Sequence, residues 1–174
     1  MDRRKFLKCI ALTGYGLVLG ESLYYTSAAE AAEKYDLVVA RGTGKSPSLI
    51  TKAAIDAFGG IRKFISCGDI VVIKPNIGWD RLPEQAANTN PEVVATIVKL
   101  CFEAGAKKVK VFDRPVNEPR RCYKQSGIAD AVNPLGAELH YIDERRFSDI
   151  SIKGQVLKSW PLYRDVFEAD KIIN

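Results

Sequence analysis

Potential ligand-binding side chains are concentrated in a polar stretch, residues 74–90, that directly follows four consecutive apolar residues. Lys74 supplies a positive charge, and Trp79 supplies a planar surface suited to covering a ring. The stretch also provides neutral hydrogen-bond donors and acceptors: Asn76, Asn88, Thr89 and Asn90. Because long ordered loops are often functional, we predict that these residues bind an anionic small molecule.

Two of these residues have a competing structural explanation. Thr89 and Asn90 precede Pro91, and a polar residue followed by proline is typical of a capped helix N-terminus. Under this alternative, Thr89 and Asn90 only cap the helix, and the prolines of the stretch stiffen a lid. The sequence leaves capping and binding equally open for these two residues, whereas for Lys74 and Asn76 we favour binding.

A second pair of charged residues, Asp113 and Arg114, follows the next apolar stretch. If the two apolar stretches are neighbouring parallel strands, Lys74 and Asp113 meet at the carboxyl edge of the sheet, where such sheets bind ligands. They then form either an ion pair that orients the polar stretch or an acid–base pair around a ligand. We predict Lys74 and Asp113 as catalytic candidates and Arg114 as a further ligand-binding residue. N-terminal amides of the helix that begins at Pro91 point toward the same edge, which favours an anion.

Short apolar runs alternate with helical patterns along most of the chain. The runs predict strands at residues 35–40, 70–73, 109–112 and 137–142, and helical spacing predicts helices at residues 47–58, 91–104 and 121–132. This alternation indicates an α/β fold with a mainly parallel, Rossmann-like sheet and helices on both faces. Three segments then follow the carboxyl ends of strands: residues 41–46, 74–90 and 113–117.

The pattern changes after residue 143. Residues 150–157 alternate around Gly154, which predicts a surface hairpin. Residues 166–173 resemble the beginning of a further sheet strand, and the printed sequence stops directly after them at Asn174. We therefore expect an incomplete domain.

Residues 42–46, Gly-Thr-Gly-Lys-Ser, resemble part of a phosphate-binding loop. The full motif requires a glycine at the position of Val39, which lies inside a predicted strand, so the motif is absent. A tight turn explains the glycines better, with Ser46 as the helix N-cap and Pro47 as the first helical residue. Amides at this helix start are a weaker candidate for binding an anion.

The cysteines and the histidine do not indicate a metal site. Cys67, Cys101 and Cys122 form no C-x-x-C pair, which argues against a zinc or iron–sulfur site. Cys101 lies in an apolar helical run and is predicted to be in the core, and an oxidising compartment allows one disulfide among the three. His140 is the only histidine, and we favour a structural role for it. The sequence therefore predicts no metal and leaves the cofactor unknown.

The N-terminus has the features of an export signal. Arg3 and Arg4 precede an apolar stretch, residues 9–20, which is followed by small-residue cleavage sites. Glu21 interrupts the stretch before it reaches the length of a membrane span, about 20 residues. We predict a removed twin-arginine signal peptide at residues 1–31, with the twin-arginine translocase as the partner during export. The mature protein, residues 32–174, is then periplasmic or otherwise exported and has no stable membrane span.

The charge distribution argues against one class of partner. The net charge of +5 is small, and the basic residues form isolated pairs rather than a tract interleaved with aromatic residues. We therefore expect no nucleic-acid partner.

Several segments together resemble the domain-of-unknown-function family 362. They are residues 68–76 (Gly-Asp-Ile-Val-Val-Ile-Lys-Pro-Asn), 88–94 (Asn-Thr-Asn-Pro-Glu-Val-Val), 104–109 and 113–115. The resemblance covers residues 35–174 and implies that this chain corresponds to the N-terminal half of a longer domain. Members of that family often carry twin-arginine leaders, and some carry a ferredoxin-like cysteine cluster. That cluster is absent from this sequence, so the iron–sulfur role is not carried over.

These observations leave three hypotheses for function. The first is an exported protein of unknown specific function that binds an anionic small molecule or cofactor at the sheet edge, either with or without catalysis. The second is a non-catalytic accessory or binding protein for periplasmic redox or cofactor assembly. The third is a truncated remnant.

Overall fold

The structure is a computed structural model that describes residues 36–174. The predicted twin-arginine signal, including Arg3 and Arg4, lies outside the described residues. The predicted boundary between signal and mature protein, after residue 31, lies outside them as well. Both stay predictions.

Six strands and five α-helices are present within residues 36–174. The strands are β1 (Ile70–Ile73), β2 (Lys108–Val111), β3 (Glu138–Leu139), β4 (Phe147–Ser151), β5 (Ser159–Tyr163) and β6 (Lys171–Ile173). The helices are α1 (Pro47–Ala57), α2 (Pro91–Ala104), α3 (Pro119–Gln125), α4 (Ile128–Val132) and α5 (Arg164–Glu168). A parallel sheet has the order β3-β2-β1-β6, and β4 and β5 form an antiparallel hairpin. The predicted α/β fold with a parallel sheet is confirmed.

One face of the sheet carries the larger core. Val71 and Ile73 of β1 lie beside Val109 and Val111 of β2 in the parallel register, and all four side chains are buried. They belong to one apolar cluster with residues of α2 and α4. Helix α1 packs outside α2, and none of its residues is buried.

The opposite face is covered by the hairpin and by the short helix α5. Val72 points to this face, because side chains alternate along a strand, and it packs with Phe112 and Tyr163. Lys110 lies beside Val72 in the register and is buried, with its ammonium on the carboxylate of Asp165 in α5. Both faces of β1 are therefore covered, which explains why this strand is apolar throughout.

The helix boundaries follow the capping signals in the sequence. Ser46 caps α1, with its Oγ accepting from the Leu49 N–H at 3.3 Å, and Pro47 is the first helical residue, as predicted. Helix α2 begins at Pro91 and ends before Gly105, whose φ of 99° suits glycine.

No helix in the described range, 36–174, is both long enough and apolar enough to cross a membrane.

The prediction of a buried strand at residues 35–40 is wrong for the part that is described. Residues 37–40 belong to no strand, and Leu37 and Val39 are 76% and 67% exposed. The run has the composition of a strand, but it pairs with no sheet edge among residues 36–174, and pairing with neighbours is what stabilises a strand. The prediction that residues 41–46 follow the carboxyl end of a sheet strand is therefore also wrong. These residues lead into α1 instead.

Three other segments differ from prediction in their boundaries. The helix predicted at residues 121–132 is divided into α3 and α4 by Gly127, whose φ is 73°. The strand predicted at residues 137–142 is reduced to β3. The hairpin is present but wider than predicted, because its strands flank residues 152–158 instead of lying within residues 150–157.

Candidate functional site

The carboxyl ends of β1, β2 and β6 lie side by side at one edge of the sheet. Lys74 directly follows β1, and its backbone N–H donates to the carbonyl of Ile173 in β6 at 2.8 Å. Its Nζ lies 2.8 Å from Oδ1 of Asp113, which follows the neighbouring strand β2 by two residues. The sheet order therefore brings the two predicted catalytic candidates into contact.

Asp113 is held in place by hydrogen bonds with buried residues of the protein core. The residue is only 6% exposed, and its Oδ2 accepts from the backbone N–H of Ile77 at 2.8 Å. Its backbone N–H donates to the Tyr123 hydroxyl at 2.8 Å, and that hydroxyl lies 2.9 Å from the His140 carbonyl. Burial raises the pKa of the Tyr123 phenol well above its usual value, so this group stays neutral. Since Oδ1 of Asp113 contacts Lys74 and Oδ2 accepts from Ile77, each carboxylate oxygen already has a partner.

The segment of residues 74–90, called the edge loop below, is held together by Asn76 and Thr89. The Asn76 Oδ1 accepts from the Gly78 N–H at 3.0 Å, and its Nδ2 donates to the Ala87 carbonyl at 3.1 Å. The Asn76 N–H donates to the Thr89 Oγ1 at 2.9 Å, and the Thr89 N–H donates back to the Asn76 carbonyl at 2.9 Å. These bonds join the two ends of the edge loop.

Asn88 fixes the middle of the edge loop through the backbone of Trp79. Its Oδ1 accepts from the Trp79 N–H at 3.0 Å, and its Nδ2 donates to the Trp79 carbonyl at 2.9 Å. The same Nδ2 lies 3.3 Å from the Arg81 carbonyl. The Asn88 amide is therefore used within the loop, and the Trp79 side chain is left 44% exposed.

Asn90 caps α2. Its Oδ1 accepts from the Glu92 N–H at 2.9 Å, and its carbonyl accepts from the N–H groups of Val93 and Val94 at 3.1 and 3.3 Å. Pro91 has no N–H to offer. The amides of the first turn of α2 are thus satisfied within the helix start.

A cavity of about 330 Å³ opens beside Lys74 at the sheet edge. We call it the edge cavity, and its lining residues are Ile73, Lys74, Pro75, Asn76, Thr89, Val93, Val94, Ile97, Ile173 and Asn174. Of the predicted site residues, Lys74, Asn76 and Thr89 line this cavity. Trp79, Asn88, Asn90, Asp113 and Arg114 do not contribute to the lining.

Sequence reasoning missed the aliphatic wall of the edge cavity. Val93, Val94 and Ile97 lie on the apolar face of α2 and were not among the predicted site residues. Only Val94 is fully buried, at 1% exposed, whereas Val93 and Ile97 are partly exposed. Their position in the first two turns of α2, next to a loop rich in polar residues, is the signal that points to a cavity wall.

Arg114 lies apart from the edge cavity. Its Nη2 is 2.9 Å from Oε1 of Glu144, and its guanidinium lies 5.7 Å from the centre of the Phe147 ring. These contacts hold Arg114 against the hairpin side of the sheet.

A larger cavity of about 650 Å³ lies beside the outer edge of β6. Its wall is mostly apolar and includes Ile55, Phe58, Phe64 and Ile172. Its wall also includes Asp36, Lys63 and Lys171, but it contains none of the predicted site residues, whereas the edge cavity contains three of them.

The cysteines of the described residues are all free thiols. Cys101 and Cys122 are buried, which confirms the predicted core position of Cys101, and Cys67 is exposed. Burial raises the pKa of the Cys101 thiol to about 11. Within residues 36–174, no three or more His, Cys, Asp or Glu side chains form a group able to hold a metal ion.

A known protein family matches the part of the chain that contains this candidate site. Residues 71–174, which begin in β1 and include Lys74, the edge loop and Asp113, match the family described as Domain of unknown function (DUF362). The chain belongs to this family. The match covers more than half of the chain, so the resemblance noted in the sequence is confirmed as membership of DUF362.

The DUF362 chain is also similar to the thylakoid-associated protein sll1697 of Synechocystis sp.. The two are 26% identical over 123 residues, which are 71% of this chain and 37% of that protein. This chain therefore spans little more than a third of the length of the curated relative. No solved structure matches the chain.

Proposed function

We propose that this DUF362 chain is an exported protein that binds an anionic small molecule or cofactor in the edge cavity, with Lys74 as its charged contact. The observation that carries the proposal is that Lys74 is the one charged side chain among the described residues that line this cavity. The cavity also lies at the carboxyl edge of a parallel sheet, where α/β proteins bind their ligands.

Lys74 retains capacity for a ligand although it is already paired. An ammonium has three N–H donors, and the contact with Asp113 uses one of them. The Lys74 side chain is 50% exposed, whereas the Asp113 side chain is 8% exposed. Asp113 thus fixes the direction of Lys74 from the buried side, and the remaining donors of Lys74 are accessible from the cavity.

Binding without turnover is the second candidate, in line with an accessory role in redox or cofactor assembly. It is favoured because both carboxylate oxygens of Asp113 are engaged, by Lys74 and by the Ile77 N–H. Among the described residues that line the edge cavity, none is a carboxylate or a histidine that could act as general base. In this version Asp113 only positions Lys74. Measuring whether the protein converts a bound ligand into a product would separate an enzyme from a protein that only binds.

Ligand-dependent thermal stabilisation tests the binding proposal. The melting temperature of the mature protein is measured with acetate, succinate and inorganic phosphate. At least one of these anions is expected to raise the melting temperature of the wild type and of Lys107→Met, a control that removes an exposed lysine just before β2, at the end of this strand opposite the cavity. The increase should be absent in Lys74→Met. An equal increase in Lys74→Met, or none in any protein, would overturn the proposal.

Export is the second part of the proposal. It is supported by the Arg3-Arg4 pair ahead of a weakly apolar stretch, and the name of the thylakoid-associated relative is compatible with a location at or beyond a membrane. Replacing both arginines with lysine, Arg3→Lys and Arg4→Lys, should retain the protein in the cytoplasm. The control Lys8→Arg should be exported normally. Cell fractionation measures both, and export of the double variant would refute the twin-arginine route.

A further inference from the structure

We propose that the edge cavity selects a singly charged carboxylate that carries an aliphatic group, and that it discriminates against phosphate esters and dianions. This inference rests on the proposed function, because it specifies the chemical class of the same ligand. It is drawn from the charge, the wall and the available donors of the cavity.

The charges at the site disfavour a ligand that carries more than one negative charge. Lys74 is the single cation in the described lining, and the carboxylate of Asp113 lies 2.8 Å from its Nζ. A monoanion accepts from the donors of Lys74 that Asp113 leaves free, so that the ammonium lies between the two carboxylates. A second negative charge finds no further cation in the described lining and is repelled by Asp113, which disfavours a phosphate dianion.

The backbone donors that usually bind phosphate are already engaged. Phosphate sites commonly use free amides at a helix N-terminus. At α2 the N–H groups of Glu92, Val93 and Val94 are bonded to Asn90, and Pro91 has none. The Asn76 amide and the Thr89 Oγ1 are held within the edge loop, so apart from Asn174 a ligand meets few side-chain donors besides Lys74.

The remaining wall is aliphatic. Ile73, Val93, Val94, Ile97 and Ile173 surround the space next to Lys74, and none of the described lining residues is aromatic. Trp79, the predicted cover for a planar ligand, lies outside the lining. A branched aliphatic group buries its surface against this wall, whereas a nucleobase or flavin ring has no stacking partner here. The volume of about 330 Å³ is at the lower end of ordinary ligand pockets, about 300–1,000 Å³.

Isothermal titration of the mature protein with three probes tests the inference: 3-methylbutanoate, acetate and inorganic phosphate at neutral pH. We expect 3-methylbutanoate to bind about tenfold more tightly than acetate, since each added carbon contacts the aliphatic wall. Phosphate should give no saturable binding. Lys74→Arg should retain the preference, and Lys74→Met should lose binding of both carboxylates.

A substitution in the wall gives an independent readout. Val93→Thr keeps the shape of a partly exposed side chain but replaces one methyl group with a hydroxyl, and it should weaken binding of 3-methylbutanoate severalfold with little change for acetate. Val116→Thr is the matched control, because Val116 is 70% exposed and outside the cavity. Equal binding of acetate and 3-methylbutanoate, or no effect of Val93→Thr, would refute the inference.

The outcomes also separate this inference from the proposed function. If phosphate binds best and its binding requires Lys74, the aliphatic carboxylate is refuted while the Lys74 anion site stands. If none of the probes shows binding that requires Lys74, both are overturned.

Discussion

The Nζ of Lys74 lies 2.8 Å from the buried carboxylate of Asp113, and this contact joins the ends of two neighbouring parallel strands. Because the other oxygen of Asp113 accepts from the Ile77 N–H, one carboxylate fixes both the side chain of Lys74 and the start of the edge loop. Lys74 itself remains half exposed beside the edge cavity. Asp113 is therefore the buried, structural member of the pair, and Lys74 is the member that a ligand can reach.

Asp113→Ala tests the structural half of this pair. The variant leaves the N–H of Ile77, a residue that is 0% exposed, without an acceptor, and we expect a loss of about 1–3 kcal/mol in the free energy of unfolding. Urea unfolding measures the change. Asp130→Ala, which removes an exposed pair with Lys124, should cost less than about 1 kcal/mol. Equal midpoints for wild type and Asp113→Ala would contradict the positioning role.

Asn90→Ala tests whether this residue acts as a helix cap or as a ligand contact. Loss of the bond to the Glu92 N–H should destabilise the protein by about 1 kcal/mol, and Asn90→Ser should restore most of it because serine also caps. Anion affinity, measured by titration below the unfolding transition, should be unchanged in both variants. A loss of affinity without a loss of stability would assign Asn90 to binding.

Asp165 provides a pH prediction on the opposite face of the sheet. Burial alone raises its pKa, but the hydrogen bond from Lys110 and the charges of Lys110 and Arg146 outweigh burial, so its pKa lies below the ordinary value. The folded state then binds fewer protons than the unfolded state, whose aspartates have a pKa of about 3.9. The stability from this carboxylate is full above about pH 5 and is lost progressively as the pH falls further.

The variant Asp165→Asn measures this contribution. It leaves the buried ammonium of Lys110 without its main partner and should cost about 3–5 kcal/mol at neutral pH. Between about pH 5 and pH 3 its stability should fall less steeply than that of the wild type. Asp143, whose pKa is held at about 2 by its hydrogen bond with Arg145, titrates in both proteins and cancels in the comparison. Parallel pH curves would contradict the assignment.

Local signals predicted much of the fold because they act over short distances. The apolar run of β1 and the proline that starts α2 each depend on a few adjacent residues, and both are present as predicted. Asn90, for which capping and binding had been left open, is the cap of α2. Residues 37–40 show the limit. Their composition favours a strand, but a strand also needs a partner, and no property of the run itself specifies one.

The contact between Lys74 and Asp113 could be predicted from the sequence, whereas the contacts within the edge loop could not. Alternating strands and helices predict a parallel sheet, so Lys74 and Asp113 were expected to meet if their strands were neighbours. The hydrogen bonds that engage Asn76 and Asn88 depend on the path of the edge loop, which composition does not determine. The buried contact between Lys110 and Asp165 joins residues 55 positions apart, and only the folded hairpin and α5 bring them together.

Native mass spectrometry of the mature protein, purified after expression in its own host, tests the Lys74 site most directly. We expect the wild type and Lys107→Met to carry the same small anionic molecule and Lys74→Met to carry none. A wild-type protein without any bound small molecule, or an identical bound mass in Lys74→Met, would contradict it.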